Sequence, residues 1–90
     1  MKITNPYLQD GKTYLKVQQI SETGYQLLKP NQFYNGQQDK ELWHQVGRKT
    51  TKRGLLDRMS QDSNVTFIIG DEEIRNPSAL TQLLNHSQQQ

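Results

Sequence analysis

Residues 65–84 read Val65-Thr66-Phe67-Ile68-Ile69-Gly70-Asp71-Glu72-Glu73-Ile74-Arg75-Asn76-Pro77-Ser78-Ala79-Leu80-Thr81-Gln82-Leu83-Leu84. Val65 to Ile69 is a dense β-branched and aromatic run, which is strand composition. Gly70-Asp71 is a two-residue loop with Gly first, as a type II′ turn prefers, and the return strand from Glu72 to Arg75 then sets Ile74 opposite Phe67. Asn76 places a capping side chain directly before Pro77, whose missing N–H is not needed at the first helical position. Ala79, Leu80, Leu83 and Leu84 follow at helical spacing and make one buried stripe. The tail from His86 to Gln90 is polar and is expected to fray.

The N-terminal half carries a second hairpin signal. Leu15 and Val17 alternate with Tyr14, Lys16 and Gln18, the period of a half-buried strand, and the Tyr14 side is expected to face water or a partner. Ser21-Glu22-Thr23-Gly24 supplies turn chemistry before a second strand at Tyr25 to Leu28, and Pro30 ends it because proline cannot donate to the ladder. Asn31 to Gln38 reads as a polar loop carrying Phe33 and Tyr34. Residues 39–47 admit two readings. A helix capped by Asp39 sets Leu42 and Val46 at i and i+4 with Gly47 stopping it, whereas a strand alternates Leu42, His44 and Val46; the helix is the reading adopted. Thr50 or Thr51 caps a further helix in which Leu55, Leu56 and Met59 form the apolar face, despite the cost of Gly54 in its first turn. The polar cluster Ser60 to Asn64 closes it.

These elements describe an α+β fold: one small domain over residues 1–90, an antiparallel sheet built from two β-hairpins, and two or three short helices on one face. The 90 residues leave no room for a second core. Leu, Ile, Val and Phe make up 20 of them, which is a thin core, and the net charge of +2 is small enough to favour folding over disorder. The absence of cysteine removes disulfides, thiolate zinc sites, iron–sulfur ligation and a thiol nucleophile together. No apolar run spans a bilayer, and Met1-Lys2-Ile3-Thr4-Asn5-Pro6 has no apolar stretch of the length a secretion signal needs, so a cytoplasmic protein is expected.

The small total charge conceals a dipolar chain. Arg48, Lys49, Lys52, Arg53 and Arg58 face only Asp57 between residues 48 and 58, whereas residues 59–90 hold Arg75 against Asp62, Asp71, Glu72 and Glu73. Arg48-Lys49-Thr50-Thr51-Lys52-Arg53 sets four cations around two hydroxyls at an expected helix start, where unpaired amides and partial positive charge suit a phosphate oxygen. The expectation is a non-enzymatic accessory or regulatory module that binds a polyanion, nucleic acid above all, through this segment and Arg58. The alternative is an adaptor or inhibitor that holds a protein partner by Tyr14, Phe33, Tyr34 and Trp43, with its basic segment on an acidic protein surface or against a nucleic-acid-processing protein. A hairpin edge can also pair two copies into a homodimer.

A third reading is catalytic. On the helix of residues 39–47, Glu41, His44 and Arg48 share one face, and carboxylate, imidazole and guanidinium are the base, acid and charge stabiliser of a metal-independent ribonuclease, with Tyr34 or Lys49 assisting. The same spacing is ordinary helical charge pairing. No metal or cofactor is expected: His44 and His86 lack metal-ligand spacing, Asp71-Glu72-Glu73 lacks the alternating oxygens of a calcium loop, and no phosphate-binding or nucleophile motif is present.

Overall fold

The two stretches of densest apolar patterning lie side by side at the centre of one sheet in the computed structural model, which describes residues 2–36 and 39–88. In chain order the elements are β1 (Ile3–Thr4), β2 (Thr13–Gln19), β3 (Tyr25–Pro30), β4 (Phe33–Tyr34), α1 (Asp39–Leu42), β5 (Trp43–Thr50), α2 (Lys52–Gln61), β6 (Val65–Ile69), β7 (Glu72–Ile74) and α3 (Pro77–Gln88). Five strands form the main sheet in the order β5-β3-β2-β6-β7, and β1 pairs with β4 in a separate ribbon. The fold is α+β. The sheet is mixed rather than antiparallel, because β2 and β6 run parallel, with Thr13 opposite Val65 and Lys16 opposite Ile68. Parallel neighbours need a long crossover, and here α2 carries the chain from β5 at one edge back to β6.

One face of the sheet holds the larger core. Leu15, Val17, Tyr25, Val65, Phe67 and Ile74 pack there with Leu55 and Met59 of α2 and Leu80 and Leu84 of α3. The local signals that start these helices are realised: the Thr51 hydroxyl accepts the Gly54 N–H at 3.2 Å, and Asn76 Oδ1 accepts the Ala79 N–H at 2.8 Å. Ile74 sits opposite Phe67.

The other face is not open to water over Tyr14, which is 6% exposed. Tyr14, Trp43 and Ile68 form a second core with Tyr7, Leu28 and Leu42 packed on it. The Tyr7 ring meets Tyr14 edge-on at 5.6 Å and lies tilted over Trp43 at 4.8 Å. The N-terminal segment is held there by Asn5, 1% exposed, whose Nδ2 donates to the Leu42 carbonyl at 2.6 Å and whose Oδ1 accepts the Tyr7 N–H at 2.9 Å.

The same contact overturns the long helix expected over residues 39–47. An α-helix through Val46 needs the Leu42 carbonyl to accept the Val46 N–H. That carbonyl already accepts from Asn5 Nδ2 and from the Asn31 N–H at 2.7 Å, so the helix stops at Leu42 and the chain continues as β5. Two smaller expectations also change. Phe33 and Tyr34 leave the loop to pair with Thr4 and Ile3, and α3 remains helical to Gln88, past the expected start of fraying at His86; Gln89 and Gln90 lie outside the described residues. No helix among the described residues is long and apolar enough to cross a membrane.

Gly54 sits in α2 because a Cβ there would collide with the Thr50 hydroxyl. Gly→Ala in a helix ordinarily stabilises by about 1 kcal/mol. Gly54→Ala is expected to destabilise the parent chain and to stabilise a Thr50→Ala background by about that amount. Urea unfolding of the four chains of this cycle checks the change of sign.

Candidate functional site

The cations of the basic segment occupy a corner where the edge strand ends and α2 begins. Between Leu27 opposite Val46 and Tyr25 opposite Thr50, β3 advances two residues while β5 advances four. Gly47, Arg48 and Lys49 therefore face the single residue Gln26, and the ladder bulges outward. Gly47 supplies the left-handed backbone of this bulge, at φ 69°. Gln26, almost fully buried, repairs the break by donating its amide to the Val46 carbonyl at 3.2 Å. Arg48 and Lys49 are thereby lifted out of regular pairing, and both are exposed.

Thr51 follows as the N-cap, its hydroxyl oxygen accepting the Gly54 N–H. Thr50 is half-buried against Gly54. Of the helix cations, Arg53 is exposed, whereas Lys52 is half-buried and donates to Asn85 Oδ1 at 3.0 Å, tying α2 to α3. Arg58 is exposed but lies five residues beyond Arg53, about 140° around the helix and roughly 7.5 Å along it. The corner thus gathers Arg48, Lys49 and Arg53 with Lys52 beside them, and leaves Arg58 on a different flank. Arg48, Lys49 and Arg53 make no ion pair among the described residues.

The acidic counterpart lies across the sheet. Gln45, Leu28, Lys16, Ile68 and Glu73 form one row from β5 to β7, and β5 and β6 both run toward the same end. The turn carrying Asp71 and Glu72 therefore sits at the end that holds the basic corner, four strand spacings or about 19 Å away. The charge asymmetry of the sequence becomes a dipole across the sheet.

The four aromatic candidates divide. Trp43, 4% exposed, and Tyr14 belong to the second core, so neither presents a face to a partner. Both are covered by the N-terminal segment that Asn5 pins. Phe33 is 48% exposed on β4, and Tyr34 beside it is half-buried. The helix face that Glu41, His44 and Arg48 would share does not form. Glu41 is in α1, His44 is on β5 with Nδ1 2.6 Å from Asn31 Oδ1, and Arg48 is on the bulge. Both strands of the first hairpin are paired on both sides, so β5 and the short β7 are the free edges of the main sheet. Sequence reasoning missed Asn5 and Gln26, because each acts through a backbone partner far along the chain. Comparison of the chain with protein-family models, curated proteins and solved structures returns no match.

Burial sets the outcome of aromatic substitution. Trp43→Ala is expected to cost about 3–5 kcal/mol of unfolding free energy, whereas Phe33→Ala costs less than about 1 kcal/mol. Equilibrium urea denaturation followed by circular dichroism separates the two.

Proposed function

We propose that the protein is a non-enzymatic accessory module that binds nucleic acid through the corner formed by Arg48, Lys49, Lys52 and Arg53. The observation that carries the reading is the bulge at Gly47, which lifts two cations out of an edge strand beside the cationic first turn of α2. Charged and bulged edges also keep sheets from pairing with one another. A purely protective edge has no use for the added cations of α2, Lys52 and Arg53, and this convergence supports a ligand. Phosphates suit the corner because Arg and Lys satisfy them without base-specific geometry. The charge dipole across the sheet would orient the protein on approach, with its acidic turn away from the polyanion. The reading goes with a cytoplasmic location.

Four cations on a duplex give a slope of log K against log salt of about −3.6, and about −2.8 on a single strand. The affinity for duplex then falls roughly 150-fold between 50 and 200 mM salt. Lys49→Ala/Arg53→Ala is expected to reduce the duplex slope by about 1.8 and to weaken binding at low salt, with Arg58→Ala affecting both far less. Fluorescence anisotropy with labelled duplex and single-stranded DNA and RNA at several salt concentrations makes the measurement. No binding at low salt, or equal binding by the double variant, overturns the reading.

A further inference from the structure

At the end of the main sheet opposite the basic corner, where β2 begins, β3 ends and β5 begins, a hollow of about 390 Å³ is lined by Lys12, Lys29 and His44 together with Tyr7 and Leu8. Lys29 and His44 are directly opposed partners of β3 and β5, which sets an ammonium beside an imidazole. Lys12, just before β2, adds a second ammonium to the same space. All three residues are exposed. Asp10 also lines the hollow but forms no ion pair with them among the described residues, so the fold gathers basic groups there without neutralising them. We infer that this hollow binds a phosphate monoester, its phosphate held by Lys12, Lys29 and His44 and its organic group set against Leu8.

The walls are fixed before any ligand arrives. The segment over residues 7–12 is fastened at both ends. Asn5 accepts the Tyr7 N–H on Oδ1 at 2.9 Å and the Leu8 N–H on its backbone carbonyl at 3.1 Å, and the Thr13 N–H donates to the Asn64 carbonyl at 3.1 Å. Between these ties Gly11 turns the chain at φ 76°, and the Lys12 N–H donates to the Gln9 carbonyl at 3.2 Å. The imidazole is set as well. Asn31 Nδ2 donates to the Glu41 carbonyl at 2.9 Å, so the atom Asn31 turns to His44 is the acceptor Oδ1, 2.6 Å from Nδ1. Nδ1 therefore carries a proton, and Nε2 is the ring nitrogen left for a ligand. Protonated there, the ring donates to a phosphate oxygen alongside the two ammonium groups. Three donors from a loop and two strands suit the three terminal oxygens of a monoester better than the two of a carboxylate. Leu8, 43% exposed, gives apolar surface on the same wall, and the volume is that of a small-ligand site. His44 and Lys49 are five residues apart on β5, roughly 15 Å, so the hollow and the basic corner can be filled at once.

The test titrates the full chain with phenyl phosphate, followed by backbone amide shifts, alongside inorganic phosphate, benzoate and the neutral benzyl alcohol. Phenyl phosphate is expected to saturate in the millimolar range, to move the amides of residues 7–13, 29 and 44, and to bind more tightly than the other three. Lys12→Gln and Lys29→Gln should each weaken it roughly threefold, the loss of one exposed ionic contact, and Asp10→Asn should strengthen it by removing a like charge. Leu8→Ala should weaken phenyl phosphate and leave inorganic phosphate unchanged, which locates the organic group. At saturation the His44 Nε2 signal in a long-range proton–nitrogen spectrum should move toward its protonated position. Absence of saturation, equal binding of benzoate or benzyl alcohol, an unmoved His44 Nε2, or unchanged binding to the folded Lys12→Gln/Lys29→Gln chain each overturns the inference. That double variant should retain its nucleic-acid titration, so the hollow and the basic corner succeed or fail separately.

Discussion

The parallel ladder between β2 and β6 is the pairing on which the rest of the molecule depends. It brings Leu15 opposite Phe67, two of the most deeply buried side chains, and joins two hairpins that are each too small to bury a face alone. Because both strands of this ladder carry apolar residues on both faces, the sheet needs a cover on each side. α2 and α3 cover one face, and the segment around Tyr7 covers part of the other. A slip of one residue would exchange Leu15 and Val17 with Tyr14 and Lys16, putting a lysine beneath the helices.

With the centre set, the edges follow. β5 and β7 are left unpaired on their outer sides, and they carry opposite charge at the same end of the sheet. On the acidic side, Arg75 pairs with Glu73 at 3.1 Å, but both side chains are well exposed, so the pair adds little stability. On the basic side the chain departs from regular pairing altogether. The bulge at Gly47 is stabilised from within, by the buried amide of Gln26. A surface feature held by a buried polar contact of that kind is part of the fold, not a fluctuation at a strand end.

Asn5 has a comparable role at the other end of β5. Its side chain fastens the N-terminal segment to the Leu42 carbonyl, closes the second core over Tyr14 and Trp43, and ends α1. One buried amide thus ties the end of a helix to the burial of two aromatics.

Much of this architecture was legible in the chain because its signals are local. The turn at Gly70-Asp71, the caps at Thr51 and Asn76, the stripe of Leu80 and Leu84 and the pairing of Phe67 with Ile74 each involve residues within a few turns or one hairpin of one another. The basic segment was equally plain, since charge density along a chain needs no fold to be counted. What escaped was long-range. Leu42 and Val46 have helical spacing, but hydrogen bonds from Asn5 and Asn31 occupy the carbonyl that spacing requires. Tyr14 and Trp43 have the pattern of exposed aromatics until a segment from outside the sheet lies over them. Periodicity and capping report what a stretch of chain can become. Which carbonyl is already taken, which strand runs parallel to which, and which face a distant segment covers depend on contacts between residues tens of positions apart, and these exist once the chain has closed on itself.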